Sequence, residues 1–113
     1  KEKSWVVGVQ DGKQSKAYDW NALKKSMLIN DTIGNEPIVL VLLSDQKSFF
    51  AFRRPGPETF VMRNDSLVAA SAAYALRDLF VTNKLERLNA NQVFWHTWRT
   101  FHPNTTRFDG TSK

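Results

Sequence analysis

The stretch LINDTIGNEPIVLVLLSDQKSFFAFRR, residues 28–54, carries the reading of the fold. At its centre Ile38, Val39, Leu40, Val41, Leu42 and Leu43 are consecutive and apolar. Such a run, bounded by turn residues, reads as a strand buried on both faces, because side chains pointing either way avoid water. Asn35, Glu36 and Pro37 open it, and Ser44, Asp45, Gln46 and Lys47 close it. Ser48, Phe49, Phe50, Ala51 and Phe52 then predict a strand that returns antiparallel across a four-residue polar loop. The rest of the chain has to cover this pair.

Working outward, Trp5, Val6, Val7, Gly8 and Val9 predict an opening strand, and Asp11-Gly12 a tight turn into a second strand over 16–20. Asp19 or Asn21 caps a short helix over 21–27, with Lys24 and Lys25 in the last turn, where the helix dipole favours cations. Residues 30–35, Asn-Asp-Thr-Ile-Gly-Asn, read as turn chemistry throughout, with Gly34 placed for positive φ. Downstream, Pro55-Gly56-Pro57 breaks the chain before a short strand over 59–62, and Arg63-Asn64-Asp65 turns it again. Residues 67–80 favour helix on alanine and leucine content alone. Asn91 reads as the N-cap of a last helix over 92–101, stopped by Pro103, with Phe94, Trp98 and Phe101 as a core-facing stripe. Residues 104–113 are polar and are expected to fray.

The chain has 113 residues, enough for one domain with a core of its own. Hydrophobic residues make up 42% and charged residues 24%, a balance that excludes wholesale disorder. The absence of cysteine removes disulfides, thiolate metal sites and cysteine nucleophiles. No apolar run approaches the roughly 18 residues of a membrane-spanning helix. No secretory-signal pattern is present and the first residue is Lys, so the chain reads as a piece of something longer. The net charge is +5, but the cations are spread from Lys1 to Arg107 rather than clustered, which disfavours nucleic acid as a partner.

The residues also carry a kinship. Val6-Val7-Gly8-Val9, Asp11-Gly12, Ala17-Tyr18, Ile29-Asn30-Asp31-Thr32-Ile33-Gly34-Asn35, Pro37-Ile38-Val39, Ala51-Phe52, Ser66-Leu67, and Trp95 and Trp98 with His102-Pro103 and Thr105 follow one pattern over nearly the whole chain. It resembles the domain-of-unknown-function family 3179, found mostly in bacterial and archaeal proteins that are often exported or membrane-linked. The resemblance implies a periplasmic or membrane-associated setting, and short extended segments in place of a helix from Ser66 to Leu79. It also locates departures. Where the family carries Trp-His-Glu, this chain has Lys25-Ser26-Met27, and where it carries Cys-Pro-Leu-Cys, this chain has Leu43-Ser44-Asp45-Gln46. The Trp of the family's Ser-Leu-Trp is Val68, and a family Gly is Ala73. Any Cys- or His-centred activity of the family would thus be lost here.

Among candidate site residues, Asp31 reads as a general base or ligand beside Arg53 or Arg54, or, with Asn30, as an Asx-turn that satisfies its own backbone. Ser44 and Asp45 sit where the family places its cysteines, at a pocket mouth or in a hairpin loop. His96 and His102 are six apart, whereas a helical metal pair needs four, so no metal or cofactor is expected. Trp5, Trp20, Trp95 and Trp98 with eight Phe read as core.

The sequence therefore predicts a β-rich α+β domain over 1–113: an antiparallel sheet of hairpins, a short helix near 21–27 and a C-terminal helix near 92–101. The functional expectation is a non-catalytic binding or assembly module. Its partner would be another protein or the remainder of a longer chain, with membrane association supplied by sequence outside this piece. The alternatives are an enzyme with a polar site at Asp31, Ser44, Asp45 and Arg53, with Asn30 and Arg54 as binding residues, and an electrostatic binder of an anionic polymer.

Overall fold

The computed structural model describes residues 4–108. Its elements are β1 (Trp5–Asp11), β2 (Gln14–Asp19), α1 (Trp20–Ser26), β3 (Leu28–Ile33), β4 (Glu36–Leu42), β5 (Phe49–Arg53), β6 (Val61–Arg63), β7 (Ser66–Val68), β8 (Ala73–Ala75), α2 (Leu76–Val81), β9 (Arg87–Phe94), α3 (Trp95–Phe101) and β10 (Thr106–Phe108). The fold is β-rich α+β, with three helices among the described residues and a mostly antiparallel sheet.

Seven strands form one curled sheet in the order β10-β2-β1-β9-β5-β4-β3, and β6-β7-β8 form a second, small sheet. β9 joins the halves of the large sheet: Asn89 to Phe94 pair with β1, and Arg87 and Leu88 with β5. The two ends of that order approach each other through side chains: Lys16 of β2, next to the edge strand β10, reaches Asp31 of the edge strand β3 at 2.7 Å.

β4 is buried from Ile38 to Leu42, and its alternation divides the core. Ile38, Leu40 and Leu42 point into the curl with Val7, Val9, Tyr18, Leu23, Ile29, Ile33, Ala51 and Leu88. Val39 and Val41 point the other way and, with Phe52, meet Phe60, Leu67, Leu76, Leu79 and Leu85 of the small sheet, α2 and their connections. Each large aliphatic side chain buried contributes about 1.5–3 kcal/mol, so these five residues contribute on the order of 10 kcal/mol before chain entropy is subtracted. A third cluster packs α3 on β1 and β2 through Trp98, Val6 and Ala17. Gly8 permits this: a Cβ there would overlap the Trp98 ring.

Several expectations are corrected. Residues 30–33 are not turn but the last four residues of β3, paired with β4 from Asn30↔Val39 to Ile33↔Glu36; only Gly34 and Asn35 turn. Burial of Ile29 and Ile33 and the ladder with β4 outweigh the turn preference of Asn and Asp. The last helix begins at Trp95 rather than near residue 92, because residues 91–94 extend β9 beside β1, and Asn91 pairs with Gly8 instead of capping. Phe101 is 75% exposed and Trp5 43% exposed, so neither belongs to the core. Residues 67–80 are divided: β7 and β8 are extended, and helix forms only at α2. Residues 106–108 of the expected frayed tail form β10, parallel to β2, with Phe108 against Tyr18 at 5.6 Å between ring centroids. The remainder of that tail, 109–113, lies outside the described residues.

α1 forms one residue earlier than expected, with the Asp19 carboxylate accepting from the Ala22 amide at 3.0 Å. No helix among the described residues is long and apolar enough to cross a membrane.

Candidate functional site

The polar residues singled out in the sequence occupy three separate places. Asp31 of β3 and Arg53 of β5 flank Ile38 of the intervening β4 in register, on the same face of the sheet, two strand spacings or about 10 Å apart. Each already has partners. Asp31 holds Lys16, and it lies beside the Tyr18 phenol, whose pKa is pushed up by burial first and by the Asp31 charge second. Arg53 sits among Asp11, Glu36 at 2.9 Å and Glu86 at 3.2 Å. Burial works to lower its pKa, but Asp11, Glu86 and Glu36 outweigh it and hold the guanidinium above its ordinary value.

Arg54 and Asn30 face the other way. Arg54 is 6% exposed and donates only to backbone carbonyls: Nε to Ile38 at 2.9 Å, Nη1 to Pro57 at 3.1 Å and Glu58 at 2.8 Å, Nη2 to Asp31 at 2.9 Å. Desolvation lowers its pKa, partly offset by the Asp31 charge. The Asn30 amide donates to the Phe60 carbonyl at 2.9 Å and accepts from the Phe60 amide at 2.8 Å. Asn30 is therefore not an Asx-turn residue but a two-bond bridge from the large sheet to the segment entering β6.

Ser44 and Asp45 stand at the far end of β4, about six residues or roughly 20 Å from Ile38. Asp45 accepts from the Lys47 and Ser48 amides, both at 2.9 Å, and from the Ser48 hydroxyl at 2.7 Å. These bonds, the Ser48 amide foremost, hold its carboxyl below the usual range. Asp45 thus organises the loop between β4 and β5. Asp31, Ser44, Asp45 and Arg53 do not share a cleft.

Ser44, however, lines a groove of about 620 Å³ between the end of β4, the small sheet and α2. Its walls are Met27, Leu42, Leu43, Met62, Ala75, Leu76 and Phe80, with Ser44, Asn64, Asp65, Ser66 and Arg77 as its polar members. That volume lies in the range that holds one small organic molecule, roughly 300–1,000 Å³, and the composition, apolar with a few polar groups, suits ligand binding.

Local sequence explains how the walls are placed. Met27 ends α1 in the left-handed region at φ 65, with its amide bonded to Leu23. Its carbonyl accepts from the Leu42 amide at 2.9 Å, which locks the end of α1 onto the end of β4. Asn64, at φ 55, makes the β6–β7 turn, a conformation that Asn tolerates better than most residues. The Asp65 carbonyl accepts from the Leu76 amide at 2.9 Å, tying that turn to the start of α2. Phe80 is 42% exposed and packs on Phe50 at 4.6 Å, with the Arg87 guanidinium 4.7 Å above Phe50 and 5.8 Å from Phe80. Both methionines of the chain, Met27 and Met62, face this groove. Methionine adapts to irregular apolar partners, as binding surfaces require.

Sequence reasoning missed most of these residues, because the groove joins segments around 27, 43, 64 and 77 that no local pattern connects. One signal did touch it: Ser44, read as lying at a pocket mouth or in a hairpin loop, lines the groove beside Met27 and Leu43.

The histidines do not form a site. His102 caps α3 with its ring 3.8 Å from Trp98, and His96 is exposed. Among the described residues, no group of three or more His, Cys, Asp or Glu side chains is arranged to hold a metal ion.

A family model described as a protein of unknown function (DUF3179) matches residues 1–105. No curated protein and no solved structure matches the chain.

Proposed function

The chain belongs to the DUF3179 family of proteins of unknown function, and on that premise we propose that it is a non-catalytic binding module whose site is the groove bounded by Met27, Leu43 and Phe80. The setting proposed for it is an exported or membrane-associated bacterial protein, as the kinship suggests. One observation carries the reading. The end of α1 and the end of β4, joined by the bond from the Leu42 amide to the Met27 carbonyl, converge on an apolar-walled groove of about 620 Å³ with a few polar groups. A concave volume walled by apolar side chains with a few polar groups is what a small-molecule site requires. The polar candidates support the same reading, since Asp45, Arg53 and Arg54 are engaged by their own chain.

The test is a pair of equally polar substitutions on exposed aromatic residues, one in the groove and one outside it. Nile red, a neutral apolar dye, is expected to bind saturably and to shift the methyl resonances of both methionines in protein labelled with 13C at the methionine methyls. Phe80→Asp should lower that affinity severalfold, and Phe101→Asp should leave it unchanged. Equal effects of the two substitutions, or methionine methyls that do not move, would remove the groove from the reading.

A further inference from the structure

The groove is apolar along its floor but not uniform at its rim. Arg77 and Asp65 are its charged members, and Ser44, Asn64 and Ser66 supply neutral hydrogen-bonding groups. Arg77 is exposed, and its side chain has no ion pair or hydrogen bond among the described residues. A cation left without an acid beside an apolar cleft is available to a ligand at no cost of breaking an existing pair.

The surroundings add to that sign. Lys24 and Lys25 occupy the last turn of α1, which leads into Met27. Arg63 ends β6 beside the turn that carries Asn64 and Asp65. Arg87 lies against the ring of Phe80, and it too has no acidic partner among the described residues. Against these five cations stand Asp65 in the groove, Asp78 on α2, and Asp45, whose oxygens already accept from Lys47 and Ser48. The local field therefore favours an anion over a cation at the rim.

Resting on the reading of the groove as a binding site, we infer that its ligand class is an amphipathic anion: an apolar body across Met27, Leu42, Met62, Leu76 and Phe80, with one carboxylate-like group at Arg77. The apolar walls supply most of the affinity through area removed from water. Arg77 supplies selection for charge, and its planar fork suits a carboxylate in two-bond geometry. Because Arg77 is exposed, its share is that of a surface ion pair, a few-fold in affinity rather than a thousandfold.

The experiment titrates protein labelled at the methionine methyls with octanoate, octanol and octylamine, which share one apolar chain and differ in head-group charge. Octanoate is expected to bind tightest and octylamine weakest. Arg77→Gln should weaken octanoate binding about three- to fivefold and leave octanol unchanged, while Arg77→Lys retains part of the preference. Raising the salt from 50 to 500 mM should weaken octanoate and not octanol. If octanol and octanoate bind equally and Arg77→Gln changes neither, the inference about charge fails while the groove remains a binding site. Octylamine binding as tightly as octanoate would overturn the sign argued for the rim. If no octyl compound moves either methyl, both the inference and the reading beneath it fall.

Discussion

At the scale of single residues, the side chains that looked most chemical in the sequence serve the chain's own geometry. Asp45 is the clearest case. Two amides and a hydroxyl from Lys47 and Ser48 converge on its carboxylate, and Gln46 between them turns through φ 58. Those bonds favour the ionised form and lower the folded-state pKa relative to the unfolded chain, where it lies near 3.9. For a carboxylate with a depressed pKa, the stabilisation is fully present above the unfolded value and disappears as pH falls through the folded one. Wild type is therefore expected to melt above Asp45→Asn at pH 7, with the difference shrinking below pH ~4 as the carboxylate protonates. Thermal melts of both proteins across that range measure it; a difference that persists undiminished at the acid end would contradict the role assigned to the carboxylate. Gly8 makes the opposite point. Its function is the absence of a side chain, and only the position of Trp98 reveals it.

At the scale of elements, Arg54 governs the link between the two sheets. Between β5 and β6 the chain runs through Pro55, Gly56 and Pro57 without regular structure, and its carbonyls need donors. Arg54 supplies them from one rigid fork, to Pro57 and Glu58 on the link and to Ile38 and Asp31 on the sheet. Asn30 fixes the end of the same link at Phe60. Lysine has no fork and cannot reach four carbonyls in these directions. Arg54→Lys is accordingly expected to cost about 3 kcal/mol, since buried carbonyls lose their donors. Denaturant unfolding of the two proteins gives the number, and a loss below about 1 kcal/mol would show that water replaces the guanidinium. The same element decides how the small sheet stands against β4, and hence the shape of the groove.

At the scale of the whole molecule, the three clusters are not independent. β4 serves the first with Ile38, Leu40 and Leu42 and the second with Val39 and Val41. β1 serves the first with Val7 and Val9 and the third with Val6. Losing one cluster exposes one face of a strand that another cluster needs, so unfolding should be a single cooperative transition. Tryptophan fluorescence, reporting on Trp20 in the first cluster and Trp98 in the third, is expected to coincide with far-ultraviolet circular dichroism along a urea titration. Two separated midpoints would mean that the small sheet and α2 unfold on their own.

How much of this was legible in the sequence follows from the range of the forces involved. The apolar run determined a strand buried on both faces from Ile38 to Leu42, because such a placement removes those five from water; Leu43, the sixth, lies just past β4 and is half-buried. The sequence narrowed the start of α1 to a cap at Asp19 or Asn21, because a cap acts within three residues, and Asp19 is the one that caps. The family kinship, too, was readable from the chain alone. What the sequence could not decide was where locally ambivalent segments went. Asn30 and Asp31 prefer turns and Asn91 is a fitting N-cap, yet all three lie in strands, because β4 and β1 offer ladders that a short turn or cap cannot match. The groove was decided only by tertiary structure. Its walls come from segments as far apart in sequence as Met27 and Phe80, and their meeting depends on long-range bonds such as Leu42 to Met27 and Arg54 to its four carbonyls, which have no local signature.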